Sequence, residues 1–115
     1  MIKVVTDTIT LADLHTKAQE LFGEMIKAVV DLDQEIMAIG GELHADEESI
    51  LLRQGSKQKD LWGINLYPEM HGGPDWIEFD SMINLRPSQD NPSRGVKDPK
   101  IREQIIKLVN KLVKS

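Results

Sequence analysis

The spacing of apolar residues predicts a helix near each end of the chain. The first helix spans about 11–22, begins after a Thr10 cap and stops at Gly23. The last spans about 99–113, where Asp98 and Pro99 supply a cap and a first-turn proline. Its apolar stripes form a wide face: Ile101, Ile105, Ile106, Leu108, Val109, Leu112 and Val113. Such a face either packs across a whole sheet or also meets a partner.

Between these helices, alternation and β-branched residues predict two hairpins. The first joins strands near 25–31 and 35–45, with Gly40-Gly41 marking a bulge or a close backbone approach. The second joins WGINLYP to DWIEFDSMINLRP around a Gly-Gly-Pro loop. Because Ile-Asn-Leu-x-Pro occurs in both segments, we interpret them as two strands with the same sequence pattern. Each strand ends at a proline.

An edge strand at 2–6 and a short helix at about 47–54 complete the predicted elements. The 115 residues therefore form a single α+β domain, 1–115. We predict an antiparallel sheet of four to five strands from two hairpins, packed against the two long helices on one face, with one short helix besides. The predicted core is Leu14, Ala18, Leu21, Val29, Met37, Ile39, Leu43, Ile64, Leu66, Ile77, Phe79, Ile83, Ile105, Val109 and Leu112.

The amino-acid composition excludes several classes of site and partner. The chain has no cysteine, which excludes disulfides, thiolate metal sites and cysteine nucleophiles. Its net charge is −5, and no basic stripe is visible, so we expect no nucleic-acid partner. The apolar runs are far shorter than the roughly 20 residues of a membrane span, and no signal peptide is visible. We expect a cytoplasmic protein without a membrane partner or a cofactor.

The most concentrated candidate chemistry is the stretch Glu42-x-His44-x-Asp46. On a strand, residues two apart point to the same face, so these side chains would line up. Joining the two hairpins would add a polar surface suited to acid–base work or to a polar ligand. The second hairpin contributes to that surface Asn65, Glu78, Asp80, Asn84 and Arg86.

Three interpretations of this stretch compete. His-x-Asp resembles two ligands of a facial-triad metal site, but the third ligand would have to be His15 or His71, and we predict no metal. A catalytic or ligand-binding surface would place His44 against a carboxylate such as Asp80 or Glu78. In the structural interpretation, Asp46 caps a helix, Glu42 pairs with a lysine such as Lys27, and His44 is a spacer.

The loop from Arg86 to Gly95 is a second candidate. Arg86 and Arg94 flank serines and an asparagine just before a helix start, a combination that binds anions. Asp98 opposes an anion there because it already caps the helix. No phosphate-binding Gly-rich motif is present.

The segments GGELHADEE, GS-x-x-x-DLWGINLYP and DSMINLRPSQDNPSRGV resemble a small prokaryotic family of unknown function. The resemblance covers nearly the whole chain and implies a compact α+β domain without an assigned activity. Two functions stay open. The first is a non-enzymatic binding or assembly module that dimerises through sheet edges or the last helix. The alternative is a small enzyme or polar-ligand binder that uses Glu42, His44, Asp80 and Arg86.

Overall fold

A computed structural model describes all 115 residues and contains a five-stranded antiparallel sheet. In chain order the strands are β1 (Lys3–Val5), β2 (Ile9–Thr10), β3 (Ile26–Asp31), β4 (Ile36–Ile39), β5 (Leu61–Leu66), β6 (Ile77–Glu78) and β7 (Val113–Lys114). The helices are α1 (Leu11–Leu21), α2 (His44–Arg53) and α3 (Pro99–Leu112). The sheet order is β1-β4-β3-β5-β6, and β2 and β7 form a separate parallel pair.

The sheet is covered on both faces. The helices α1 and α3 bury the main core of 19 residues, to which β5 contributes Trp62, Ile64 and Leu66. The opposite face carries a smaller cluster built around Val29, Leu51 and Leu61, beneath α2. These findings confirm the predicted α+β class and the two long helices on one face. Trp62 and Phe79 lie on that face, as the prediction requires.

Both long helices begin where the sequence predicts. The Thr10 hydroxyl accepts a hydrogen bond from the Asp13 amide at 3.1 Å, and the Asp98 carboxylate accepts one from the Lys100 amide at 2.8 Å. The wide face of α3 packs within the chain, since Ile105, Leu108, Val109 and Leu112 are buried there. Ile106 is left 40 % exposed.

The first predicted hairpin is present, but its second strand ends six residues early. β4 stops at Ile39 because Gly40 takes a φ of 87°, a conformation that a continuing strand does not tolerate. The chain then turns, and α2 begins at His44 rather than near 47. The stretch Glu42-x-His44-x-Asp46 therefore does not lie on a strand, and its side chains do not share a face. Leu43, predicted to be buried, is 58 % exposed for the same reason.

The second hairpin is shorter than predicted. Only Ile77 and Glu78 pair with β5, and Met82–Asn84 forms a turn of 3-10 helix. The two Ile-Asn-Leu-x-Pro segments are therefore a strand and a 3-10 turn, so the interpretation as two strands was wrong. Further 3-10 turns lie at Gln58–Asp60, Pro68–Met70 and Pro87–Gln89.

The chain leaves the sheet after β6. From there on, side chains rather than a neighbouring strand form hydrogen bonds with the outward backbone groups of β5. The Asn84 amide acts like a neighbouring backbone: it accepts from the Gly63 N–H at 2.8 Å and donates to the Gly63 carbonyl at 2.9 Å. The Arg86 guanidinium donates to the Leu61 carbonyl. Gly63 is required here, since a Cβ would lie 2.5 Å from the Ser81 hydroxyl oxygen.

Replacing Asn84 by alanine should destabilise the fold by about 2–4 kcal/mol, because two buried backbone groups of Gly63 lose their partners. Urea denaturation of the variant measures the change. Asn110→Ala is the matched control, since the Asn110 side chain bonds only the Trp76 indole, at 3.3 Å. Equal losses in the two variants would contradict the role assigned to Asn84.

Candidate functional site

A row of polar side chains crosses three strands on the face covered by α2. Lys27 of β3 pairs with Asn65 of β5, and Asn65 pairs in turn with Glu78 of β6. Cross-strand partners point to the same face, so the three side chains are neighbours. The row lies at the end of the sheet and continues into the exposed β6 edge, where Glu78 is exposed to solvent.

The Glu78 carboxylate is held by two donors. The buried Asn65 amide donates to Glu78 Oε1 at 2.8 Å, and the Tyr67 hydroxyl donates to the same oxygen at 3.1 Å. The Asn65 amide also donates to the Asp80 carbonyl at 3.2 Å, which ties the chain after β6 to the row. Glu78 is thus a carboxylate in a fixed orientation, with its second oxygen left for another partner.

Next to Glu78 an open depression of about 410 Å³ is lined by Glu24, Tyr67, Met70, Pro74, Asp75, Ile77 and Glu78. It combines three carboxylates with apolar surface, and no lysine, arginine or histidine lines it. Burial raises the pKa of the Tyr67 hydroxyl, and so do its contact with Glu78 and the charges of Glu24 and Asp80. Burial is the largest cause of this shift, and the nearby carboxylates act in the same direction because they disfavour a second negative charge.

His44, the first residue of α2, lies on the sheet and is only 8 % exposed. Its Nε2 lies 2.8 Å from the Ile64 carbonyl oxygen, which can only accept, so Nε2 carries a proton. Burial lowers the pKa of His44, and Lys27 lowers it further, against the opposing effects of the Ile64 carbonyl and Asp80. The contact expected with a carboxylate is thus replaced by one with a backbone carbonyl, and burial favours the neutral ring.

Glu47, one turn further along α2, is fully buried. Its Oε2 accepts from the Gly41 amide at 2.9 Å, while Oε1 has no hydrogen-bond partner. Gly41 allows this close approach, since a Cβ there would lie 2.9 Å from the Glu47 Cγ. Burial raises the pKa of Glu47 to about 9, although the Gly41 hydrogen bond and Lys27 oppose the shift. Glu47 is therefore a neutral acid at physiological pH.

The remaining predicted site residues lie apart from the depression. Glu42 is exposed in the turn before α2. Arg94 forms an ion pair with Asp80 at 2.7 Å. Arg86 is buried, and its guanidinium donates to the carbonyls of Ile83, at 2.9 Å, Gln58, at 2.7 Å, and Leu61. It also stacks over the Trp62 ring, 4.4 Å from the ring centroid.

Of the predicted residues, the fold brings together Asn65, Glu78 and Asp80, with His44 close by at the start of α2. Three contributors were missed: Glu24, Tyr67 and Glu47. Tyr67 follows Asn65 at a spacing of two, a pattern that places both on one strand face. Glu47 looked like an ordinary acidic residue in a helix first turn, which complements the dipole.

Two further structural findings bear on the candidate chemistry. No group of three or more His, Asp or Glu side chains is placed to hold a metal ion. None of the helices combines the length and the apolar character that crossing a membrane demands.

Glu47→Gln should remove a pH dependence of stability. Between the unfolded pKa of 4.5 and the folded value of about 9, the folded state keeps a proton that the unfolded state has released. Stability therefore falls as pH rises through this window, by about 1.4 kcal/mol per pH unit. From pH 6 to pH 8 the free energy of unfolding of the wild type should fall by roughly 3 kcal/mol relative to the variant.

Chemical denaturation at the two pH values measures this difference. Glu42→Gln, which removes an exposed carboxylate in the turn before α2, is the control and should keep the wild-type slope. Parallel pH profiles for wild type and Glu47→Gln would show that Glu47 ionises in the folded state.

Comparison with known proteins extends the resemblance noted in the sequence. A sequence model of the family described as Protein of unknown function (DUF5674) matches residues 3–112, nearly the whole chain. No curated protein and no solved structure gives a significant match. Because the match spans all three helices and the whole sheet, the chain belongs to the DUF5674 family.

Proposed function

We propose that this protein is a small binding module whose depression beside β6 takes a positively charged organic group, such as an ammonium or guanidinium. The observation that carries the proposal is the Glu78 carboxylate, oriented by Asn65 and Tyr67 at the wall of a depression lined by no cationic residue. A carboxylate already held in place loses little freedom when it pairs with a ligand.

The rest of the lining fits an organic cation better than a bare ion. Met70, Pro74 and Ile77 supply apolar surface, and Tyr67 adds an aromatic ring. Alkyl stems of lysine-like or arginine-like groups pack on such surface while their charged ends reach carboxylates. Glu24 and Asp75 add negative charge at the rim, which raises the local concentration of cations.

The catalytic alternative receives less support from the geometry. It requires Glu42, His44, Asp80 and Arg86 to converge on a substrate. His44 is instead buried at the start of α2 and bonded to a backbone carbonyl, and Glu42 is exposed without a hydrogen-bond partner. Asp80 is paired with Arg94. A binding role needs only the side chains that line the depression.

An anionic ligand at the loop from Arg86 to Gly95 is also less well supported. Arg86 directs its donors to three backbone carbonyls and to the Gln89 side chain, and Arg94 already pairs with Asp80. A homodimer stays a prediction, and the face of α3 that suggested it is largely covered by the sheet.

The test uses two blocked amino acids that share a four-carbon side chain, of which only one carries a terminal ammonium group. N-acetyl-lysine amide should shift the backbone amide signals of Ile77, Glu78 and Met70 in an NMR titration, whereas the uncharged N-acetyl-norleucine amide should not. Glu78→Gln should weaken the lysine compound about two- to fivefold, the range for an exposed ion pair. The affinity should also fall as salt is added.

Glu69→Gln is the matched control, because Glu69 is an exposed carboxylate in the turn Pro68–Met70 before β6 and does not line the depression. It removes the same charge and should leave the affinity nearly unchanged. If both variants weaken binding equally, the effect comes from the net charge of the protein and not from the depression. If Glu78→Gln leaves the affinity unchanged, the proposed site is wrong.

A further inference from the structure

The outer edge of β6 carries unpaired backbone groups. The Tyr67 amide donates to the Trp76 carbonyl at 3.0 Å, which makes this pair a hydrogen-bonded one. Hydrogen-bonded and non-bonded pairs alternate along an antiparallel ladder. Ile77, opposite Leu66, is therefore in a non-bonded pair, and its N–H and C=O point away from the sheet. β6 is the last strand in the sheet order, so no strand meets these groups.

This open edge is short and has defined ends. After β6 the Ser81 amide donates to the Arg94 carbonyl at 3.0 Å, which covers the edge from that point on. Before it, the chain turns through Gly72, which has a φ of 85°. The window between Asp75 and Phe79 is long enough for about five residues of an extended partner.

Depressions flank the window on both sides. On the Glu78 side lies the acidic depression of about 410 Å³. On the α3 side lies an apolar one of about 260 Å³, whose lining includes Trp76, Phe79 and the exposed Ile106. Pro74 and Ile77 line both depressions, so they adjoin along β6.

We propose that β6 accepts an extended peptide segment of another protein as a sixth strand, with alternating basic and apolar side chains. Residues of an added strand alternate between faces, as those of β6 do. An apolar residue opposite Ile77 would lie against Phe79 and Ile106, and the basic residues on either side of it would reach Glu78 and Asp75. This inference rests on the proposed function and names the ligand of the same site.

Charge complementarity selects this occupant over a second copy of the chain. Pairing two β6 edges would bring the Glu78 and Asp75 carboxylates of both copies together without a cation between them, and like charges across paired strands are destabilising. A basic strand removes that repulsion. Backbone hydrogen bonds to Ile77 would supply affinity, and the two depressions would select side chains.

The experiment uses three forms of the blocked peptide Val-Lys-Val-Lys-Val. The parent should bind tighter than N-acetyl-lysine amide and should slow hydrogen exchange of the Ile77 amide about tenfold at ten times its Kd. Methylating the backbone nitrogen of the central valine removes the N–H that would pair with the Ile77 carbonyl. This form should bind at least fivefold more weakly. Methylating the backbone nitrogens of both lysines removes N–H groups only from the opposite edge of the peptide. This form should bind with an affinity close to that of the parent.

Each outcome distinguishes the two proposals. Equal binding of the two methylated forms, without protection of Ile77, would overturn strand addition while cation binding in the depression stands. Absence of binding by every peptide and by N-acetyl-lysine amide would overturn both. If the chain alone shifts the Ile77 and Glu78 signals with rising concentration, the occupant is a second copy and the proposed partner is wrong.

Discussion

The edge of β5 is the constraint on which the rest of this structure depends. Its outward backbone groups need partners, and β6 supplies them only at Asn65. The Asn84 amide takes over at Gly63, and the Arg86 guanidinium takes over at Leu61. Because side chains complete the ladder, the chain after β6 is free to leave the sheet and fold across the α2 face. A buried edge is thereby closed without a full-length strand.

This substitution of side chains for a strand explains where sequence patterns succeed and fail. The helices α1 and α3 were predictable because apolar period and caps are local signals. Ile-Asn-Leu at 64–66 forms the end of strand β5. The same tripeptide at 83–85 instead forms the end of a 3-10 turn, with Leu85 as the residue that follows the turn. What differs is Asn84's partner, Gly63, 21 positions away. A contact so distant in sequence leaves no periodic trace near either residue.

The candidate site also contains residues whose positions could be predicted from the sequence and residues whose positions could not. Asn65, Glu78 and Asp80 were predictable because the first two sit on strands with a period of two and the third follows directly. Glu42 and His44 were grouped on a strand that Gly40 ends, through its positive φ. Arg86 was predictable as a polar residue but not as a buried one, since its acceptors are backbone carbonyls distributed over three segments. A charged residue in a sequence does not reveal whether the fold already provides hydrogen-bond partners for its side chain.

Burial separates the polar groups of the α2 face into two kinds. On the buried side of α2, Glu47 and His44 are shielded from water, and burial favours the neutral form of each. At the rim, Glu78 keeps access to solvent and receives two oriented donors. Asn65 joins the two regions, because its side chain is buried while its amide donates to the Glu78 carboxylate and to the Asp80 carbonyl. The interior groups therefore contribute to how α2 rests on the sheet, whereas the rim holds the carboxylate on which the proposed binding depends.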